Sequence, residues 1–458
     1  MINGNIGKSI VKFAMPCILA RIIQNLYPLI DSLVVGKALD IESLSAIGIS
    51  ASLYALFNDT FIGLVSGFAI ITSKKFGAGD KKGANLTFYN SFIISSLLCL
   101  VVSVLGIVFA EQMLLLLKTP PELIPIAKKY IFVLFLGLLP NMLYNFTSEM
   151  LRAVGNSKIP LVLLVISTVI HLAVLYPFTN NYGVSGTAIS LVLSYIVTIT
   201  LGGIYIYKKK KIFEFSLESL KLDINILKEC FLIGFPMALT SFVVMIGVLL
   251  LNIVTNMIGT DYIAAYSVAS KTGYVLTTPI FAFATAVSVF ASQNYGAKNY
   301  RRIEKGVDFS LRLVMLINAC ILVLVFFAAK PFLRFMLNGN KTAVSAGFVY
   351  LCVRCVSTIV LTPAAIYKSL LPAIGKPFFS TLSGFLEIGV RFLFPLFFSK
   401  SLGFSVVPLT DTAAWVFIAI LVVFAYYYEF SKLKHNIAKT VSKPCFLLTY
   451  KNICGILI

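Results

Sequence analysis

Gln24-Asn25-Leu26-Tyr27-Pro28-Leu29-Ile30-Asp31 lies inside an apolar run from about Phe13 to Leu39. A run of that length crosses the ~30 Å hydrocarbon core of a bilayer. A carboxylate within it costs about 2.5–3.5 kcal/mol at mid-membrane. Gln24, Tyr27 and Asp31 fall at i, i+3 and i+7, one face of a helix. Pro28 has no N–H, so the carbonyl of Gln24 loses its helical partner. An acid, an amide, a phenol and a freed carbonyl on one face belong to a helix lining a polar cavity rather than one facing lipid.

The rest of the chain fits that reading. Of 458 residues, 59% are hydrophobic and 12% charged, with a mean hydropathy of +0.94. Soluble domains run at about 45–50% apolar and 25% charged, so the composition is that of a polytopic membrane protein. The first run is too long for a cleavable signal and has no small-residue cleavage site; it reads as an uncleaved span. The formal charge of +20 sits in short loops between apolar runs. The positive-inside rule accounts for it, and no basic domain is present to hold nucleic acid. Eight cysteines are scattered. Cys352-Val-Arg-Cys355 has metal-like spacing but lies in an apolar helix without a second pair, so its thiols read as ordinary buried ones and no metal is expected.

Hydropathy predicts an all-α fold of twelve spans, at about 13–38, 44–73, 88–117, 124–150, 159–178, 184–207, 230–256, 263–291, 308–329, 344–371, 379–399 and 411–429. Lysines and arginines at 74–82, 152–158, 208–211, 298–305 and 376 mark one side, so a multi-pass protein of the cell (inner) membrane with both termini in the cytoplasm is expected. This organisation divides the chain into a six-helix bundle (1–207), a cytoplasmic linker (208–229), a second six-helix bundle (230–430) and a basic tail (431–458).

The two halves repeat. Pro16 matches Pro236, Leu44-Ser45-Ala46 matches Ile263-Ala264-Ala265, Ser73 to Ala78 matches Ser292 to Ala297, and Ala153-Val154-Gly155 matches Ala373-Ile374-Gly375, all at offsets of 219 or 220. Six spans per half give both halves one orientation, hence a pseudo-two-fold along the membrane normal with a central cavity between the bundles.

On these motifs the sequence resembles the multidrug and toxic compound extrusion (MATE) family, and its amide-rich seventh span looks most like the DinF-like bacterial branch. The resemblance rests on Tyr27-x-x-x-Asp31-x-x-x-x-Gly36, Gly63-Leu-Val-Ser-Gly67, Phe76-Gly77-Ala78 with Tyr295-Gly296-Ala297, Tyr144-Asn145 with Leu151 to Gly155, Glu387-x-x-x-Arg391 and Ala414-Trp415. It implies a monomeric antiporter without cofactor that exports small organic cations or other amphipathic drugs, driven by H⁺ or Na⁺, with membrane lipid around it. The family's first-span acid falls on Asp31. Its usual fifth-span Asn and Asp fall on His171 and Leu175, and the seventh-span Glu of the NorM-type branch falls on Val244. The second-half cation site of that branch is therefore expected to be absent.

The polar residues inside spans carry the candidate chemistry. Asp31 has no same-helix partner, since Arg21 is nearly three turns away. His171 is the one histidine within a predicted span, and imidazole titrates near pKa ~6.5. It either carries a proton or pairs with a carboxylate, or it is a neutral ring bonded to a backbone carbonyl. Asp59, in Asn58-Asp59-Thr60, either replaces the missing fifth-span acid or bonds across helices. These three form the candidate cation-coupling set. Gln24, Asn25, Tyr27, Pro28, Asn252 and Asn256 are candidates for the cavity wall or drug contact. Met237, Met245, Phe281, Phe283 and Phe290 offer an adaptable apolar surface. Glu149–Arg152 (i, i+3) and Glu387–Arg391 (i, i+4) read as structural pairs.

The expected mechanism is alternating access. Neutralising Asp31 by a proton or cation changes the first-half cavity, and the Pro28 irregularity lets the first helix bend. The alternative within the superfamily, a lipid-linked oligosaccharide flippase, calls for fourteen spans and an arginine-rich cavity; only Arg21 and Arg391 stand out as arginines well inside spans. An enzyme would need a clustered constellation near an interface, which the sequence does not show.

Overall fold

A computed structural model describes residues 1–117, 119–209, 213, 221–258, 260–337 and 339–441; of these, 27–29, 32, 41, 249–258, 260–261, 263–264 and 433–441 are described by backbone alone. Among the described residues the regular structure is helical, with no strand. The first half holds α1 (Ile6–Ala38), α2 (Ile41–Gly77), α3 (Lys81–Val108), the short α4 (Ala110–Leu116), α5 (Ile124–Leu136), α6 (Leu138–Ala153) and α7 (Lys158–Lys208). The second holds α8 (Ile224–Ile258), α9 (Thr260–Leu276), α10 (Thr278–Gly296), α11 (Tyr300–Met336), α12 (Lys341–Ala373), α13 (Pro377–Leu402) and α14 (Val406–Val441).

Short polar side chains start several of these helices. Asn5, Asp40, Asp80 and Asn340 accept the amides of Lys8, Ser43, Gly83 and Ala343 at 3.0, 2.7, 2.8 and 3.0 Å, satisfying donors that the first turn leaves open. Seven helical segments are long and apolar enough to cross a membrane, or nine when two bent pairs are counted. The bent pairs are α5 with α6, at 43°, and α9 with α10, at 40°. Two of the seven segments are double crossings. α7 is broken at Gly183 (φ 59°, ψ −140°), and Gly403 (φ 51°, ψ −135°) turns the chain between α13 and α14. With α1, whose run is interrupted by Lys8, Lys12, Arg21, Asp31 and Lys37, the total is the twelve that hydropathy predicts.

The repeat is written into the backbone as well as the sequence. Gly183 and Gly403 are 220 residues apart and share one glycine conformation. Gly155 (φ 89°) and Gly375 (φ 81°) are also 220 apart. Each donates to the carbonyl three residues back, and each following residue donates to the carbonyl five back, at 2.8–2.9 Å. These are matching left-handed helix ends. A third pair, Gly79 (φ 78°) and Lys298 (φ 58°), closes α2 and α10 in the same way.

The two halves meet along α2. A Cβ added to Gly67 would lie 2.4 Å from Gly234 Cα in α8, and one on Gly63 would lie 2.7 Å from the Met237 carbonyl oxygen. Nearer the basic loops, a Cβ on Gly77 would sit 2.1 Å from Gln293 O, and one on Gly296 would sit 1.9 Å from Lys74 O. The glycines of Gly63-Leu-Val-Ser-Gly67 thus let two backbones touch, as small residues do between membrane helices. Gln293, fully buried, ties the same end together: its Nε2 donates to Ala153 O at 2.8 Å, and its Oε1 accepts from the Met1 amine at 2.8 Å. Burial, and then the nearby Arg302 charge, hold that amine below the ordinary α-amino range.

α1 crosses between the halves. Its Ile10, Phe13, Ala14 and Cys17 pack into the core formed by α10, α11, α12 and α14, while its far end faces α7. Between α7 and α8 the chain is anchored by Asn90 of α3, which accepts Asp223 N at 2.8 Å and donates to Lys221 O at 3.1 Å. Residues 210–212 and 214–220 of the expected linker, and 442–458 of the expected tail, lie outside the described residues.

Candidate functional site

α1 and the first crossing of α7 bring together two residues 140 positions apart. His171 Nε2 lies 2.8 Å from Asp31 Oδ1. The imidazole is fully buried and the carboxylate is about one quarter exposed, so the pair is open from the Asp31 side. The second crossing of α7 supplies Ser190, whose Oγ is 3.2 Å from His171 Nδ1 and 2.7 Å from Thr187 O.

The arrangement limits where hydrogens can be. A hydroxyl has one proton. When Ser190 gives it to Thr187 O, the closer acceptor, Ser190 Oγ accepts Nδ1–H from the ring. A proton must then lie between Nε2 and Asp31 Oδ1, or two acceptors would face each other. When the hydroxyl turns to Nδ1, a neutral ring donates Nε2–H to an ionised Asp31. The pair therefore accommodates one proton more or less without moving a heavy atom. Sequence reading missed Ser190, because one serine among many on an apolar helix carries no periodic signal. We expect Ser190→Ala to leave folding intact but to shift the pH midpoint of transport by about half a unit or more, since a charge-linked hydrogen bond to the ring is lost. The readout is initial rate against pH in proteoliposomes; an unchanged profile would show that the hydroxyl does not take part.

Asp59 is not brought to this pair. It lines a cavity of about 360 Å³ with Arg21, Gln24, Glu149 and Arg152. Asn58 Nδ2 donates to Asp59 at 3.0 Å; Asn141 donates to Asn58 Oδ1 at 2.7 Å, and Asn145 to Asn141 Oδ1 at 2.9 Å. A chain of amides running from α2 to α6 thus holds the acid at the wall. Glu149 and Arg152 pair as the spacing predicts. Gln24 and Met245 line this cavity. Asn25 instead donates to Thr278 Oγ1 at 3.4 Å, joining α1 to α10. Phe283 and Phe290 are core residues rather than cavity wall, at 2% and 0% exposure. The side chains of Tyr27, Pro28, Asn252 and Asn256 lie outside the described residues; the α1 backbone is helical through position 28.

A second cavity, of about 180 Å³, lies in the other half, and Val244 and Val248 of α8 line both. Glu387 and Arg391 pair here at 3.0 Å as expected, but they belong to a larger set. Asp411 bridges Arg391 (3.0 Å) and Arg354 (3.2 Å), and Lys368 reaches Glu387 at 3.1 Å. This corrects the arginine census: Arg354 lies deep in α12, only 5% exposed. Its signal was present in Cys352-Val-Arg-Cys355, where the cysteines drew the reading. Asp411 fell at a predicted span edge; α14 starts at Val406, which places it inside the helix.

Comparisons with known proteins agree with this architecture. The MatE family profile matches residues 16–176 and 236–396, one match per half. "Probable multidrug resistance protein YpnP" of Bacillus subtilis (strain 168) is 31% identical over 307 residues, covering 66% of this chain and 68% of that protein. "Probable multidrug resistance protein YoeA" of the same strain is 26% identical over 348 residues, covering 74% and 75%. A solved structure described as MATE in complex with MaL6 superposes with a TM-score of 0.87 at 21% identity, over 95% of this chain and 98% of that one.

Proposed function

The chain belongs to the MatE family of multi-pass membrane transporters, and from that premise we propose that it exports amphipathic organic compounds by proton-coupled antiport. The observation that supports the reading is the contact of buried His171 with the partly exposed Asp31, whose geometry suits the pair with or without one extra proton. With the proton the pair is neutral overall; without it the pair carries one negative charge inside the membrane. Hard metal cations take shells of oxygen ligands, whereas this pair sets one carboxylate beside an imidazole nitrogen, so the proton is the ion it fits better than Na⁺.

Coupling requires that proton and substrate prefer different states of the protein. We place both termini and the basic loops on the cytoplasmic side of the cell membrane. The contacts of Gly77 and Gly296 between α2 and α10 then lie at the cytoplasmic end, which supports reading this as a state shut to the cytoplasm. Proton entry at Asp31 from outside, followed by separation of the glycine contacts, would complete the cycle. The two expected bundles, 1–207 and 230–430, would be the bodies that rock, with α1 leaning on both. A lipid-linked oligosaccharide flippase cannot be set aside on arginine count once Arg354 is included. Twelve crossings rather than fourteen, and the MatE match, support the antiporter reading over it.

The test is transport in proteoliposomes with an imposed pH gradient or an imposed Na⁺ gradient. We expect accumulation of a fluorescent amphipathic compound to follow the pH gradient and to be indifferent to Na⁺. Movement driven by Na⁺ alone would replace the proton reading, and movement without any gradient would indicate a channel or facilitator.

A further inference from the structure

We propose that the second-half cavity receives the anionic group of an amphipathic aromatic substrate; this narrows the export function above and rests on it. Three cations, Arg354, Lys368 and Arg391, line that cavity against two carboxylates, Glu387 and Asp411. The surplus can be located. Arg391 is fully engaged: Nε and Nη2 donate to Asp411 at 3.2 and 3.0 Å, and Nη1 meets Val244 O and Glu387. Lys368 is taken by Glu387. Arg354 Nη1 donates to both Tyr350 Oη and Asp411 at 3.2 Å each, and its buried Nε has no hydrogen-bond partner. Arg354, which shares Asp411 with the better-bonded Arg391, is therefore the least matched of the three cations.

The surroundings suit a planar anion. The Arg354 guanidinium lies 5.0 Å from the Tyr274 ring centroid and 5.2 Å from that of Trp415. Both rings line the cavity with Phe281. Gly273 makes room for the guanidinium, since a Cβ there would lie 2.5 Å from Arg354 Cδ. Arg21 of the first cavity lies 5.8 Å from the Phe281 ring and, among the described residues, has no carboxylate within ion-pair distance. Glu149, which shares its cavity, is paired with Arg152. At about 180 Å³ the second cavity is smaller than the ~300–1,000 Å³ of ligand pockets. It takes a headgroup and one ring system, and the rest of a substrate extends past Val244 and Val248 into the first cavity. A carboxylate or phosphate oxygen would accept from Arg354 in bonds stronger than neutral ones, whereas a fixed cation would meet uncompensated positive charge.

Trp415 is the only tryptophan of the chain and a wall of this cavity, so it reports occupancy directly. The experiment titrates the purified full chain in detergent with naphthoate and with naphthyltrimethylammonium, which share a ring system and differ in charge, and follows Trp415 quenching. Naphthoate is expected to bind about ten-fold tighter than the ammonium compound or better, and Arg354→Gln to weaken naphthoate by a similar factor. Arg354→Gln leaves Asp411 paired with Arg391. Should that variant misfold by size exclusion, Lys368→Gln decides, because Lys368 lines the same cavity, Glu387 keeps Arg391, and the loss of one cation is expected to weaken naphthoate several-fold. Equal affinities, a preference for the cation, or naphthoate binding untouched by the deciding substitution would overturn the proposal. Binding is read without a gradient, so loss of antiport leaves this site standing, and loss of anion preference leaves antiport standing.

Discussion

Asp31→Asn is expected to bring gradient-driven export down to the leak rate while the protein still inserts and folds. The amide keeps the size and a hydrogen bond to His171 but cannot ionise, so the pair loses the charge change that a proton would produce. Swinging a two-state transporter from about 1:99 to 99:1 takes roughly 5.5 kcal/mol of differential binding. A coupling ion that no longer binds supplies none of it, and a fall on the order of a hundred-fold or more in coupled rate follows. The measurement is accumulation of a fluorescent substrate in proteoliposomes matched for protein content, with equilibrium substrate binding as the control. Binding should persist, because the pair at His171 is not part of either cavity wall described above. Export near the wild-type rate would remove Asp31 from the coupling path. His171→Gln is expected to be less severe, since the carboxylate remains, and to displace the pH profile instead.

Asp411→Ala is expected to cause the largest loss of stability of the substitutions considered. The carboxylate joins Arg354 of α12 and Arg391 of α13 to α14, and all three side chains are less than 10% exposed. Removing it leaves one guanidinium without a carboxylate and the other with Glu387 alone. Breaking a buried pair by deleting one partner costs about 3–5 kcal/mol, mostly the desolvation of the stranded charge. The check is the midpoint of thermal unfolding in detergent. A midpoint within a degree or so of wild type would mean that water or a neighbour satisfies both guanidiniums. Asp411→Asn should be milder, since its oxygen still accepts from Arg391.

Much of this protein was legible in the chain. Apolar run lengths gave twelve crossings, because a bilayer fixes how many apolar residues a helix needs. The offsets of 219 and 220 gave the repeat, and the structure carries it down to the glycine torsions at 155 and 375 and at 183 and 403. Pairs at i, i+3 and i, i+4, such as Glu149–Arg152, were readable because one helix sets their distance. Asp31 stood out because a carboxylate in an apolar run is costly.

Contacts between helices were not legible. Nothing in the one-dimensional order says that His171, rather than Asp59, meets Asp31, or that Ser190 stands behind the ring. Nor does it say that Asp411, at what looked like a span edge, gathers Arg354 and Arg391 from two other helices. Periodicity fixes which face of a helix is polar, but the partner of that face depends on rotation and crossing. In this protein those are set by where backbones can touch, at Gly63 and Gly67 against α8 and at Gly77 and Gly296 between α2 and α10. The sequence by itself determined the crossings, the repeat and the residues too polar for their surroundings. The tertiary structure decided their pairings: which carboxylate meets the imidazole, and which one gathers two arginines from other helices.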